Sequence, residues 1–342
     1  MKKLFTTILM AAFALTSFAG GLLTNTNQHS AFVRNPARFA SLDIDAVYFN
    51  PAGTAFLQDG LHLSANWQMV WQDRDAIDLA SNTKYEGKVY VPCMPTIMAA
   101  YKTGDWTFSG FFGIPGGGGK AEFADGLPSF NKLASEAASG LPGTSAFTST
   151  QYVFSLQFGA AYKINDNLSA YAGIRGNYTS ANYEGNIAAL YGETPVFGID
   201  LNLDQSGIAF APIVGVDYKV GNFNFAAKYE FRAVTTVENE TNTFMLNNQG
   251  AEFNLTDPKI FDVVMAQNEK LKRLEGFADG KTLRSDAPAM LSLAGSWQII
   301  DRLQVMAGWN YYFDKDATVE SLMGGDNMKK LSRNTFEYIF GA

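Results

Sequence analysis

The sequence predicts an all-β fold, an antiparallel transmembrane β-barrel, and three observations carry that prediction. Segments of strictly alternating polarity recur along the chain; the connections between them are alternately tight and long; and the chain opens with a secretory pattern. The clearest segment runs from Gln151 to Ile164, where Tyr152, Phe154, Leu156, Phe158, Ala160, Tyr162 and Ile164 alternate with small or polar residues. A period of two sends these sets to opposite faces of a strand. In a lipid-spanning barrel the apolar face meets acyl chains and the other face lines a wet lumen.

Residues 1–19 read as a signal peptide, with Lys2 and Lys3 as the charged region, Leu4 to Leu15 as the apolar stretch and Ser17-Phe18-Ala19 as the cleavage site. The mature chain then begins at Gly20. Of 26 basic residues the peptide carries two, so 24 remain against 33 acidic ones, a balance that excludes nucleic acid as a partner. After residue 20 no stretch approaches the roughly 20 apolar residues of a membrane helix, so a bilayer-spanning chain must form a closed barrel. Cys93 is the only cysteine and cannot form an internal disulfide; it is read as filling an apolar strand face.

Ten strands are expected in order: Leu61–Asp73, Lys88–Lys102, Trp106–Ile114, Gln151–Ile164, Leu168–Ile187, Ile208–Val220, Phe223–Thr235, Ala289–Ile299, Leu303–Phe313 and one from Asn334. Tight turns at 103–105, 165–167, 221–222 and 300–302 alternate with long connections at 74–87, 115–150, 188–207, 236–288 and 314–333. Outer-membrane barrels sort their turns in this way, short on the periplasmic side and long outside. A soluble β-sandwich also alternates in polarity but has no reason to sort its connections by length. Rings such as Trp67, Trp71, Tyr101, Trp106, Tyr162, Tyr218, Phe223, Trp297 and Trp309 fall on the apolar face towards strand ends, the headgroup level of a bilayer.

Residues 20–60 precede the first strand and contain Asn50-Pro51-Ala52-Gly53, locally a turn specification: proline fixes φ, glycine permits a positive φ and asparagine can bond backbone amides. Between a signal peptide and a first barrel strand, Ser30 to Leu57 (SAFVRNPARFASLDIDAVYFNPAGTAFL) resembles the hatch of the FadL family of outer-membrane transporters of hydrophobic compounds. Val91-Pro92, the stretch Asp286 to Gly295 and the turn at Asp301-Arg302 are similar to family landmarks in family order. The resemblance implies a fourteen-stranded barrel plugged by a hatch at residues 20–60, with the barrel at 61–342, admitting long-chain fatty acids or other hydrophobic compounds by passive diffusion. Asn50, Pro51 and Ala52 match the hatch signature, and Gly53 completes the turn. With ten strands and no terminal aromatic after Ile339-Phe340-Gly341-Ala342, the sequence is expected to be cut short at its C-terminus, and the sheet by itself to leave unpaired edges; ten being an even number, a complete smaller barrel is the alternative.

Ligand capture is expected on two outer loops. Pro128 to Ala138 reads as a short helix carrying Phe130 and Leu133, with Phe123 and Leu127 just before it. In the second loop Asp257 is an N-cap, Pro258 opens a helix, and Ile260, Phe261 and Val264 follow at helical spacing. These helices could equally pack on each other to close the barrel top; the resemblance implies a similar pair that takes ligand in an apolar groove. Strand parity turns Arg175, Asp217, Lys219, Lys228, Glu230 and Arg232 away from the apolar face, and Arg175, Lys228 and Arg232 are the candidate lumen cations for a carboxylate. Gly110 and Gly113 interrupt the third strand; in the family a kink there opens the wall sideways, so both are candidates for a lateral opening.

Gly116 to Lys120 fails as a phosphate loop, since Ile114 and Ala121 stand where Gly and Ser or Thr are needed. The chain has two histidines, His29 and His62, and no matched serine or acid, so an enzyme is not expected and no cofactor or metal is implied. An anchor or adhesin remains the rival class, but it needs no plug. The expected partners are fatty acids or aromatic hydrocarbons, with outer-membrane lipid and lipopolysaccharide around a monomer.

Overall fold

The computed structural model describes residues 27, 29–79, 81–267, 271–322 and 333–342; the expected signal peptide lies outside them. Ten strands form the wall: β1 (Gly60–Asp73), β2 (Lys88–Thr103), β3 (Trp106–Phe123), β4 (Gly143–Lys163), β5 (Leu168–Tyr191), β6 (Thr194–Val220), β7 (Phe223–Glu230), β8 (Met290–Ile300), β9 (Leu303–Tyr312) and β10 (Thr335–Gly341). Sequence neighbours are sheet neighbours, each pair antiparallel. This is the meander of an antiparallel β-barrel. Among the described residues β1 and β10 are not paired with each other.

The alternation places side chains as its period requires. Along β6, Ile208, Phe210, Val214, Val216 and Tyr218 are exposed on the outer face, whereas Ala209, Ala211, Ile213 and Asp217 are buried. Outer rings pair across strands near the tight turns, Trp106 with Tyr162 at 4.8 Å and Phe223 with Trp297 at 5.5 Å, and again near the far end, Trp71 with Tyr90 at 5.4 Å. Aromatic pairs at both heights of an apolar band are what a bilayer's two interfaces favour.

Two sequence expectations are corrected at the outer end. The connection expected at 188–207 is strand: β5 and β6 run on to a tight turn at Gly192-Glu193 without a slip in register from Leu168↔Tyr218 to Ala189↔Phe197. What changes is which face is apolar. Above Gly207 the buried positions are Phe197, Ile199 and Leu203, and Asp200, Asn202 and Asp204 share the outward parity of Phe210. The same strand therefore turns its apolar face outward in the membrane zone and inward beyond it. β3 and β4 extend likewise, leaving residues 124–142 to connect them.

β7 stops at Glu230 rather than Thr235. A further strand, Thr236–Asn248, takes over the outer edge of β6, from Glu238↔Ser206 to Asn248↔Phe197. Two longer helices sit over this end, α3 (Pro128–Ala137) and α4 (Pro258–Gln267), following the short helices α1 (Ser30–Arg34) and α2 (Ala46–Phe49) of the amino-terminal segment. Pro128 and Pro258 occupy first helical positions, where a missing N–H costs nothing, and Asp257 Oδ1 accepts from Lys259 N at 2.9 Å.

The amino-terminal segment touches every wall strand. Ser30 N donates to Asn66 of β1 at 3.2 Å; Phe39, Tyr48 and Phe49 pack on Met98 and Ala100 of β2, Phe111 of β3, Ala294 of β8 and Ile339 of β10. Gln157 of β4 donates to Val47 O at 2.8 Å, Ser169 of β5 to Ala52 O at 2.7 Å, and Lys228 of β7 to Tyr48 O at 3.2 Å. Asn50 reaches Asp217 of β6 at 3.1 Å, and Gly308 of β9 lies against the Phe39 ring. The segment thus lies against the inward-parity face of all ten strands, and it is called the plug below.

Candidate functional site

At the seam between plug and wall, residues Pro51–Phe56 form a 3-10 helix opened by Pro51, whose fixed φ suits a first helical position. The expectation that the Asn50 side chain bonds local backbone amides is corrected: it makes no cap bond and instead donates to Val216 O at 3.0 Å and Asp217 Oδ2 at 3.1 Å. Gly53 is corrected in the same way. Its φ is not positive; its lack of a side chain matters because a Cβ there would lie 2.6 Å from Ser41 O and 3.4 Å from Asp217 Oδ2. Asn50, Pro51, Ala52 and Gly53 are all buried. Within the plug, Arg38 pairs with Asp45 at 2.6 Å and with Asp43 at 2.8 Å.

Above the plug, Arg175, Lys228, Glu230 and Tyr48 form one charged cluster. Arg175 binds Glu230 at 2.9 Å and Gln157 Oε1 at 2.7 Å, and its guanidinium lies 4.6 Å from the Tyr48 ring centre. Lys228 is 3.6 Å from the other Glu230 oxygen, an ion pair without a hydrogen bond. Two cations thus share one carboxylate, and both lean on the plug. Burial pushes the Tyr48 hydroxyl up to about 12, so its ring presents a neutral face to Arg175. Arg232, expected with them, is exposed and contacts the backbone oxygen of Asp316 instead, because β7 ends two residues earlier.

Tyr48, Arg175 and Glu230 of this cluster line a cavity of about 280 Å³ that reaches Pro115, Gly116 and Gly117 on one side and Pro288, Met290 and Tyr312 on the other. The wall beside Pro115 is irregular. β2 and β3 pair from Thr96↔Gly113 to Thr103↔Trp106 and again from Lys88↔Glu122 to Tyr90↔Lys120, but residues 91–95 and 114–119 between them are not paired. Pro92, Pro95 and Pro115 supply no ladder N–H, and Gly117 and Gly119 take positive φ of 97° and 68°. The break therefore lies just beyond the glycines singled out from sequence. Gly110 and Gly113 sit in intact ladder, opposite Ala99 and Thr96, and face the rings of Phe158 and Phe111.

At the outer end, an apolar groove of about 270 Å³ runs between α3 and the inverted faces of β4, β5, β6 and Thr236–Asn248; Phe130 and Leu133 line it, with Phe147, Tyr183, Ile199, Leu201, Phe244, Leu274 and Phe277. A second hollow of about 520 Å³ is lined by Ile260 and Val264 of α4, with Phe197, Leu246 and Phe253. The other expected capture residues fall elsewhere. Phe261 is buried in the core beside Phe244, Phe123 packs on Val89, Val91 and Ala121, and Leu127 flanks α3. Of the groove residues not expected from sequence, Phe147, Ile199 and Leu201 belong to the strand extensions, and the alternation of Ile199 and Leu201 with polar residues is the signal for the last two; Phe277 lies in the 3-10 helix Lys272–Phe277.

No protein-family model and no curated protein sequence matches the chain. Solved structures do. The Ralstonia pickettii toluene transporter TbuX superposes with a TM-score of 0.51 at 17% identity, over 87% of this chain and 73% of that one. A Pseudomonas aeruginosa FadL homologue gives 0.55 at 15%, over 89% and 74%. This chain has the FadL-type fold. A TodX monoaromatic hydrocarbon channel lacking S2 and S3 gives 0.53 at 16% identity, and there the chain covers 66% of the relative's length. By their descriptions these relatives include channels and transporters.

Proposed function

We propose that the chain forms an outer-membrane channel for passive uptake of hydrophobic small molecules, long-chain fatty acids or aromatic hydrocarbons, and has no catalytic role. The observation that carries this reading is the inversion of apolar faces at the outer end. Apolar side chains that face lipid below face an unfilled groove above, so the protein offers a greasy surface beyond the bilayer, where a hydrophobic solute would otherwise meet only polar saccharide. The descriptions of TbuX as a toluene transporter and TodX as a hydrocarbon channel support the same solute class.

In this account ligand is captured in the groove at Phe130 and Leu133, moves to the cavity above Tyr48, and leaves either past the hatch or sideways where β2 and β3 part. The excess of one cation among Arg175, Lys228 and Glu230 suits an acid; the apolar groove suits either solute. The channel works as a monomer amid outer-membrane lipid and lipopolysaccharide, after removal of residues 1–19. Liposomes containing the full-length gene product are expected to take up labelled oleate or toluene faster than protein-free liposomes. Uptake of neither overturns the proposal.

A further inference from the structure

The seam between plug and wall holds a carboxyl group that the transport path does not use. Asp217 is fully buried, and Asn50 and Asn224 beside it are 1% and 3% exposed. Both amides donate to the same oxygen, Asp217 Oδ2, Asn50 at 3.1 Å and Asn224 at 3.2 Å; Asn224 also donates to Ala40 O and Asn50 to Val216 O. The amide protons point at carbonyl and carboxyl oxygens, and the remaining oxygens of all three side chains, Asp217 Oδ1, Asn50 Oδ1 and Asn224 Oδ1, are buried without a partner.

No cation pairs directly with Asp217 among the described residues. Ser169 of β5 stands opposite Asp217 but gives its hydroxyl proton to Ala52 O; Ala226 of β7 stands on the other side; and from the plug come Asn50, Gly53 and the Ala40 carbonyl. Lys219, two residues along the same strand, is exposed, and no ion pair joins Asp217 to any cation among the described residues. Three buried acceptors thus stand together without a donor. A proton on Asp217 converts an orphan acceptor into a donor inside a cluster that has two further orphan acceptors, and it removes the buried charge.

We propose that the plug is held closed by a protonated Asp217, which makes this contact a proton-dependent latch rather than a fixed structural bond. Opening exposes Asp217 to water, where an ordinary aspartate ionises above about pH 3.9. The closed state then binds one proton more than the open state, so closure is complete in acid and weakens as pH rises. The opening constant grows by up to about tenfold per pH unit, the slope of a single proton.

The test uses the full chain in lipid vesicles. Amide hydrogen exchange of residues 50–56, corrected for intrinsic rates, is expected to accelerate with pH along that slope, and Asp217→Asn, which keeps the shape without the charge, is expected to flatten it. Infrared difference spectra of the same pair are expected to show the carbonyl stretch of a protonated carboxylic acid in the unmodified protein. A pH-independent exchange profile of the unmodified protein overturns the proposal even if the variant does not fold. An unchanged slope in a folded variant overturns it as well.

Discussion

Replacing Asn50 by Ala removes two hydrogen bonds that tie the plug to β6, to Val216 O at 3.0 Å and to Asp217 Oδ2 at 3.1 Å. A net hydrogen bond contributes about 1 kcal/mol, and a bond to a carboxyl group up to about twice that. Because the site is buried, water cannot take the place of the lost amide, and the acceptors left behind add a further penalty of about 1 kcal/mol. The closed position should therefore lose about 2–4 kcal/mol relative to any open one, and the open population should rise by about 30- to 1000-fold, at 1.4 kcal/mol per factor of ten. Leak of a small dye from vesicles containing the variant reads this directly. A leak equal to that of the unmodified protein refutes the argument that this seam holds the plug.

Two further outcomes follow from the wall and the groove. Gly117→Ala places a Cβ at a φ of 97° and against the Gln151 carbonyl, whereas Gly110→Ala meets the Phe158 ring at 3.2 Å, which can shift, and the Gln157 carbonyl at an ordinary contact of 3.4 Å; the first should cost about 1–3 kcal/mol and the second under about 1 kcal/mol by thermal unfolding. Phe244→Ala, in the floor of the outer groove, should weaken binding of a hydrophobic fluorophore at least about tenfold, with fluorescence titration as the check.

The wall was legible in the sequence because side-chain parity reports directly on which face a residue occupies. Trp67, Phe158 and Phe210 could be assigned outward from their neighbours alone, and all three are exposed. Sequence alone leaves the outer half of β6 and residues 188–191 of β5 in a connection, because the apolar set of β6 moves from even to odd positions at residue 207. An unslipped strand crossing from lipid to a covered core produces that inversion, and read as such it marks the membrane boundary. The plug contacts were illegible for a different reason. Asn50 meets Asp217 across 167 residues, and Lys228 meets the Tyr48 carbonyl across 180, so neither pattern nor propensity connects them. The break between β2 and β3 falls at Pro115 to Gly119, whereas Gly110 and Gly113 pack against rings; glycine alone does not distinguish packing against a ring from a bend in the ladder.

All five tryptophans, Trp67, Trp71, Trp106, Trp297 and Trp309, lie on the outward parity of their strands, so one fluorescence experiment probes the whole surface assignment. In vesicles of brominated lipid their emission should be strongly quenched, and aqueous iodide should have little effect. Emission that ignores brominated acyl chains would contradict the assignment of a lipid-facing exterior around a filled interior.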